Sequence, residues 1–328
     1  MVSVAAQWSG MFAQHIDGDG VQSFSRLDPN GYLPPVTDNL ANRARMAAGI
    51  RAAWRSNGGT LTLEGHGAAD CAPYDVLING ERTHRLPAVG IHRHEVVLDG
   101  LAENSLVQLW LPHFGDFTIG QATLDGEFVT SAGEDGPRWI TYGSSITHCQ
   151  QADGPTQTWP AVVARENGWR LTNLGLAGEC QLDPIAADTI AQTPADLISL
   201  CVGINSYNAA VFSERSYGPA LQGFITTIRR AHPGVPVVVI SPVLSLPREQ
   251  KVNEVGWTLV DYRRATASVV AAMQAKGDTA LHLIDGSTVL TEQEALDRLP
   301  DTLHPDTAGY AIMAQRLAPR LAAALTHG

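Results

Sequence analysis

Cysteine is scarce. The chain has 328 residues and four cysteines, Cys71, Cys149, Cys180 and Cys201, too few for a fold stapled by disulfides. Positive charge is scarce too: 22 Lys and Arg stand against 33 Asp and Glu, a formal net charge of −11, and only Lys251 and Lys276 are lysines. No basic footprint is visible, so no nucleic-acid partner is expected. Aromatic residues make up 6% of the chain and offer no evident stacking platform for a glycan. No stretch approaches the roughly 18 consecutive apolar residues of a membrane span, so no membrane partner is expected either. The opening MVSVAAQWSGMFAQHID has no basic start, and Gln7, Ser9 and Gly10 interrupt its apolar residues. It does not read as a secretory leader. The expected location is the cytoplasm, or outside the cell if a leader has been trimmed. The oligomeric state is not written in any motif.

What is present is a globular composition, 44% hydrophobic and 17% charged, in a chain long enough for two domains. The two halves differ in period. Residues 1–130 hold short runs bounded by turn signals: TLTLEG (60–65), YDVLINGERTHRL (74–86), HEVVLDG (94–100), SLVQLWLPHF (105–114) and FTIGQATLDGEFV (117–129). Asn79-Gly80 between two alternating runs is a strong hairpin signal, and Asp99-Gly100 and Asp125-Gly126 read as similar turns. Only the stretch around Asn39–Trp54 looks helical. This pattern predicts an N-terminal β-sandwich of jelly-roll type. The polar segment 131–137 is the expected joint, from which limited proteolysis would release a stable C-terminal fragment.

From 138 to 328 apolar strands alternate with helices. Strands are expected at WITYG (139–143), RLTNLG (170–175), DLISLCVG (196–203), PVVVISP (236–242) and ALHLID (280–285), and helices near 158–167, 184–192, 213–231, 257–276 and 306–325. This predicts a doubly wound, flavodoxin-like three-layer α/β/α domain on a parallel sheet. In such sheets chemistry gathers at the carboxyl ends of the strands. There lie Gly143-Ser144-Ser145-Ile146-Thr147, then Leu174-Gly175-Leu176-Ala177-Gly178-Glu179, then Gly203-Ile204-Asn205, and before the last helix Asp301-Thr302-Leu303-His304-Pro305. A serine on a tight strand-to-helix turn exposes its hydroxyl near helix N-terminal N–H groups, but needs a base to attack. His304 can be that base, and Asp301, three residues earlier, can hold the other imidazole nitrogen. The N–H groups of Ser145 and Gly178 and the side-chain amide of Asn205 are candidate donors to a tetrahedral oxyanion.

The ordered blocks GSSIT, LGLAGE, GIN and DTLHP resemble the four blocks of the SGNH, or GDSL-type, serine hydrolases. The resemblance covers about residues 138–328. It implies Ser145 as nucleophile, Asp301 and His304 as acid and base, and Ser145, Gly178 and Asn205 as the oxyanion hole. It departs from the family at Ser144 and Ser206, where Asp is usual. The first half, with LWLPHFGDFTIG, looks like the β-sandwich domain of a subset that includes esterases and acyltransferases of aromatic polyketide pathways. The resemblance implies a serine esterase that cleaves a small carboxylic ester, such as an acetylated sugar or other polyol ester, through an acyl-enzyme and without cofactor or metal. The alternatives are an acyltransferase of secondary metabolism and, from another class, a non-catalytic carbohydrate-binding protein.

Further residues carry weaker expectations. His148, one turn after Ser145, is a structural residue or a substrate-rim residue. Arg248, in the long segment 245–257 read as a lid or substrate wall, is a candidate ligand for an anionic group. Cys149 and Cys180 closely follow Ser145 and Gly178, so they read either as a disulfide or close thiol pair or as two buried small hydrophobic residues. His92 and His94 share a strand face without a third metal ligand. Asp17-Gly18-Asp19-Gly20 starts like a calcium loop, lacks its later ligands, and reads as a turn.

Overall fold

The computed structural model describes residues 2–4, 8–31, 37–132 and 135–326. The N-terminal half is antiparallel: among the described residues, ten strands are joined in one hydrogen-bonded sheet. Two long strands organise it, Arg51–Gly67 and Phe117–Ser131, paired along most of their length. The first half of Arg51–Gly67 also pairs with Ser105–Trp110, and its second half with Gly90–Leu98. Alternation explains the inner face. Leu61 and Leu63 are fully buried, and they cluster with Trp54, Val76, Leu109 and Leu124. Asn79 and Gly80, both at positive φ, turn the chain between Tyr74–Ile78 and Glu81–Leu86.

Two local expectations fail here. The helix in the 39–54 stretch covers only Asp38–Arg45, capped by the Thr37 hydroxyl. Arg51–Trp54 instead pairs with Val107–Trp110, so cross-strand pairing overrides local helical preference. Asp125-Gly126 is not a turn. Gly126 lies opposite Gly59 inside the long strand pair, where a Cβ would come within 2.4 Å of the Gly59 Cα. The glycines serve close backbone approach there. At Asp17 the expected turn is present, its carboxylate accepting the Asp19 and Val21 N–H groups. His92 bonds to the Tyr74 hydroxyl at 2.9 Å and stacks on His94.

The last antiparallel strand ends at Ser131 and the first parallel strand begins at Arg138; of the segment between, residues 133 and 134 lie outside the described residues. The C-terminal half is the expected three-layer α/β domain. Its five parallel strands are Arg138–Gly143, Arg170–Gly175, Leu197–Cys201, Val237–Ile240 and Leu281–Ile284. In chain order they lie 2-1-3-4-5, the flavodoxin-like arrangement. Leu197–Cys201 and Val237–Ile240 are buried throughout because helices cover both faces. Helices Trp159–Asn167 and Thr307–Thr326 pack together, while Pro184–Gln192, Glu214–Ala231 and Leu259–Ala275 form another packed group. No described helix is long and apolar enough to cross a membrane.

The halves share an apolar core. Leu27, Leu40, Ala44, Leu77 and Trp110 from the first half are buried in the same cluster as Trp139, Trp159 and Leu171 from the second. The seam is also hydrogen-bonded. The buried Asp75 carboxylate takes Arg85 and the Thr156 hydroxyl, the latter at 2.6 Å. The buried Arg26 guanidinium donates to the carbonyls of Met46, Asn173 and Gly175.

Candidate active site

Strand register brings the site loops level. Gly143 is the pairing partner of both Gly175 and Cys201, so the first three parallel strands end side by side. The first, flanked by the second and third, leads straight into Ser144. Ser144 caps the four-residue helix Ser145–His148: its hydroxyl accepts the Ile146 N–H, and its carbonyl accepts those of Thr147 and His148. That leaves the Ser145 N–H as the uncommitted donor of the turn. The turn can sit so low on the sheet because residue 175 is glycine. A Cβ there would stand 2.2 Å from the His148 nitrogen.

The Ser145 hydroxyl is 2.7 Å from His304 Nε2, and His304 Nδ1 is 2.6 Å from the Asp301 carboxylate. With Nδ1–H donating to Asp301, Nε2 is the free lone pair that faces the serine. The other Asp301 oxygen accepts the N–H groups of Leu303 and His304. Burial raises the Asp301 carboxyl, but these N–H donors and the imidazole outweigh it and hold the group below its ordinary range. Asp301 therefore stays ionised, the state that orients an imidazole. Ser145 is 6% exposed, against 19% for the His304 side chain and 49% for that of Asp301. The pair is thus open to water at its edge.

Gly178 has φ +80°, a left-handed conformation that suits glycine. Asn205 opens the short helix Ile204–Asn208 beyond the third strand, and its Oδ1 accepts the Cys180 N–H at 3.1 Å. That bond identifies the oxygen end of the amide and turns the NH₂ end the other way.

Three expectations are corrected. Cys149 and Cys180 are not bonded to each other, and all four cysteines are free and buried. The Cys149 thiol points to the Ile146 carbonyl at 3.2 Å, whereas that of Cys180 lies by the Cys201 carbonyl at 3.8 Å. The two loops meet, the Ala177 N–H donating to His148 Nδ1, and both cysteines are buried small side chains. Burial pushes the thiols up, to about 12 for Cys71 and Cys201 and well above the ordinary value for Cys149, so none of these three is a ready thiolate. His148 is fully buried rather than on the rim. Its Nε2 bonds to the His113 carbonyl at 2.8 Å, and its Nδ1 accepts the Ala177 N–H at 3.3 Å. Arg248 spends its donors on protein: Asn208 Oδ1, the Ser245 hydroxyl and the Thr302 carbonyl. It braces the loop that carries Asp301 and His304. The segment 245–257 is likewise pinned, by Ser245 to Thr302 and by an Arg263–Glu249 ion pair. It walls a cavity of about 810 Å³ beside Thr302 and Tyr207.

The N-terminal half reaches the site in a way no motif announces. Arg43 Nε donates to the Ala177 carbonyl at 3.1 Å, and His113 Nε2 to the Cys149 carbonyl at 3.1 Å. Burial lowers His113 to about 4, and burial with the nearby Arg26 charge holds His148 well below an ordinary imidazole. Both rings are neutral in the fold. The Arg43 contact spans 134 residues of sequence, and no local pattern could have signalled it.

With this geometry the family can be stated. Residues 141–312 match the GDSL-like lipase/acylhydrolase family, and the chain belongs to it. A search of curated proteins finds no significant match. Among solved structures, the chain is similar to a salicylyl-acyltransferase, SsfX3, from a tetracycline biosynthetic pathway, with 29% identity and a TM-score of 0.85 over 97% of this chain and 94% of that one. It is also similar to a putative GDSL-like lipase from Bacteroides ovatus, with 20% identity and a TM-score of 0.79 over 99% of this chain and 97% of that one. A family two carbohydrate esterase from Clostridium thermocellum, solved with cellohexaose, shares the fold at 16% identity and a TM-score of 0.64 over 86% and 94%. The similarity in fold extends over both halves of the chain.

Proposed function

We propose that the chain is a serine ester hydrolase that opens small carboxylic esters through an acyl-enzyme on Ser145. The observation that carries this reading is the unbroken line from Ser145 Oγ to His304 Nε2 at 2.7 Å and from His304 Nδ1 to Asp301 at 2.6 Å. His304 takes the serine proton as Oγ attacks the ester carbonyl. The Ser145 and Gly178 N–H groups and the Asn205 amide receive the oxyanion. His304 then protonates the leaving alcohol, and a water deprotonated by His304 releases the acid. The part-exposed imidazole favours hydrolysis, since water can reach the acyl-enzyme. An acetylated sugar or other small polyol ester is the proposed substrate class.

The second reading is acyl transfer to an alcohol or amine by the same acyl-enzyme. The two-domain similarity to the salicylyl-acyltransferase at 29% identity favours it. Ser145→Ala is expected to abolish turnover of p-nitrophenyl acetate with an unchanged circular dichroism spectrum; retained turnover refutes the nucleophile. With the unaltered chain, product analysis in the presence of candidate alcohols separates the readings. Free acid as the main product supports hydrolysis, and a new ester in excess of free acid supports transfer.

A further inference from the structure

We propose that Arg43, on the N-terminal domain, is a positioning residue that sets the plane of the Ala177–Gly178 peptide and so aims the Gly178 N–H into the site. This rests on the reading of Gly178 as an oxyanion donor.

In a trans peptide the C=O and the following N–H point in opposite directions. The Ala177 carbonyl and the Gly178 N–H belong to one such unit. Arg43 Nε grips the carbonyl at 3.1 Å, so the N–H of the same unit faces away from Arg43. The preceding peptide is also held, because the Ala177 N–H donates to His148 Nδ1. Since His148 Nδ1 accepts, its Nε2 carries the proton that goes to the His113 carbonyl. Between these two anchors Ala177 packs in a small apolar cluster with Met46 and Phe114.

External anchoring matters at this point of the chain. Gly178, at φ +80°, has no side chain to lodge against a neighbour and is the residue type with the most backbone freedom to lose. Electrostatic stabilisation of an oxyanion depends on donors already aimed before the charge appears. Arg43 is itself held: its guanidinium lies over the Phe114 ring at 5.1 Å, and its own carbonyl accepts a bond from Arg26. A cationic donor on the carbonyl also polarises the peptide and strengthens its N–H as a donor. The oxyanion hole is therefore assembled across the domain seam.

Two variants of the full chain, Arg43→Met and Arg43→Lys, test this with p-nitrophenyl acetate kinetics and inhibition by phenylboronic acid, which forms a tetrahedral adduct on a nucleophilic serine. Arg43→Met keeps the apolar stem and removes the donors. Its kcat is expected to fall roughly tenfold to a hundredfold, somewhat less than removal of a whole oxyanion donor. KM should stay within about twofold, and boronate affinity should fall in parallel with kcat. Arg43→Lys, which keeps the charge and a donor, is expected to show a smaller loss of both and decides the matter if Arg43→Met does not fold. Unchanged kcat and boronate affinity in the folded variants overturn the proposal. So does a loss confined to KM or to thermal stability, which a merely structural arginine would give. Ser145→Ala runs alongside. If it is inactive while the Arg43 variants are unaffected, only the positioning role fails; if it stays active, the reading of the site fails and takes this inference with it.

Discussion

A serine hydroxyl becomes a nucleophile only through its base, and the base only through its orientation. Asp301 meets His304 with both oxygens, one on the imidazole and one on the His304 backbone N–H, so ring and chain are positioned by one carboxylate. Two other histidines lie wholly buried. His113 and His148 are buried neutral, each bonded to a carbonyl across the domain seam. In the unfolded chain both would take a proton near pH ~6.5, whereas folded His113 does so near 4 and His148 is also well depressed. Between those values the unfolded chain binds more protons than the folded one. Stability therefore falls as pH drops below about 6.5, and the His113 share of the loss levels off near pH ~4. Thermal unfolding midpoints across that window should show the decline. His113→Gln, which keeps a donor and removes the titration, should show a shallower one; an equal slope in both would remove His113 from the account.

At the scale of elements, the short helix Ser145–His148 lies against the end of the second strand at a distance only glycine permits. Gly175→Ala would press a methyl to 2.2 Å from the His148 nitrogen. The nearest atoms, the His148 nitrogen and Cα and the Thr147 carbonyl carbon, are all backbone, so none can swing aside. The expected cost lies at the upper end of the ~1–3 kcal/mol typical of overpacking, read as a shift of the urea midpoint. A turn displaced from the sheet would also move Ser145 from His304, so kcat should fall in whatever fraction folds. An alanine variant with unaltered midpoint and kcat would show that the approach is not needed. The neighbouring loops are fastened by contacts distant in sequence, Arg248 and Ser245 to Thr302 and Asn205 to Cys180. Local turn preference alone does not hold them.

Across the whole molecule, we propose 131–137 as the joint between the domains, but the cores on either side of it are not independent. Trp110, Leu77, Leu40 and Leu27 are buried with residues of the α/β half, and Arg26 satisfies the carbonyls of Asn173 and Gly175. A fragment of residues 138–328 would expose that apolar face and lose the Arg43 and His113 contacts. It is expected to aggregate or to unfold at markedly lower temperature than the full chain, and to be inactive. A monomeric fragment with full esterase activity, checked by size exclusion and p-nitrophenyl acetate turnover, would contradict this. The stable fragment expected from the composition of the joint is thus at odds with the shared core, because a polar segment marks where the chain crosses and not whether the surfaces beside it are wet.

Much was legible without tertiary structure. Period-3.6 stretches between apolar runs located the five long helices, because those patterns report burial on one face. The blocks around Ser145, Gly178, Asn205 and His304 were legible because each follows a strand or precedes the last helix, where the topology must gather them. Other features depended on partners far away in sequence. Arg51–Trp54 became strand because Val107–Trp110 lies beside it, and Cys149 and Cys180 are unbonded, each thiol turned to a carbonyl. His148, three residues after Ser145, proved to face the N-terminal half, bonded to the His113 carbonyl. The sequence by itself determined the order of the chemistry and the class of fold, since both are carried by local patterns. Only the tertiary structure decided how the N-terminal half grips the loop at Ala177, because a hydrogen bond from Arg43 to Ala177 leaves no trace in the residues around either.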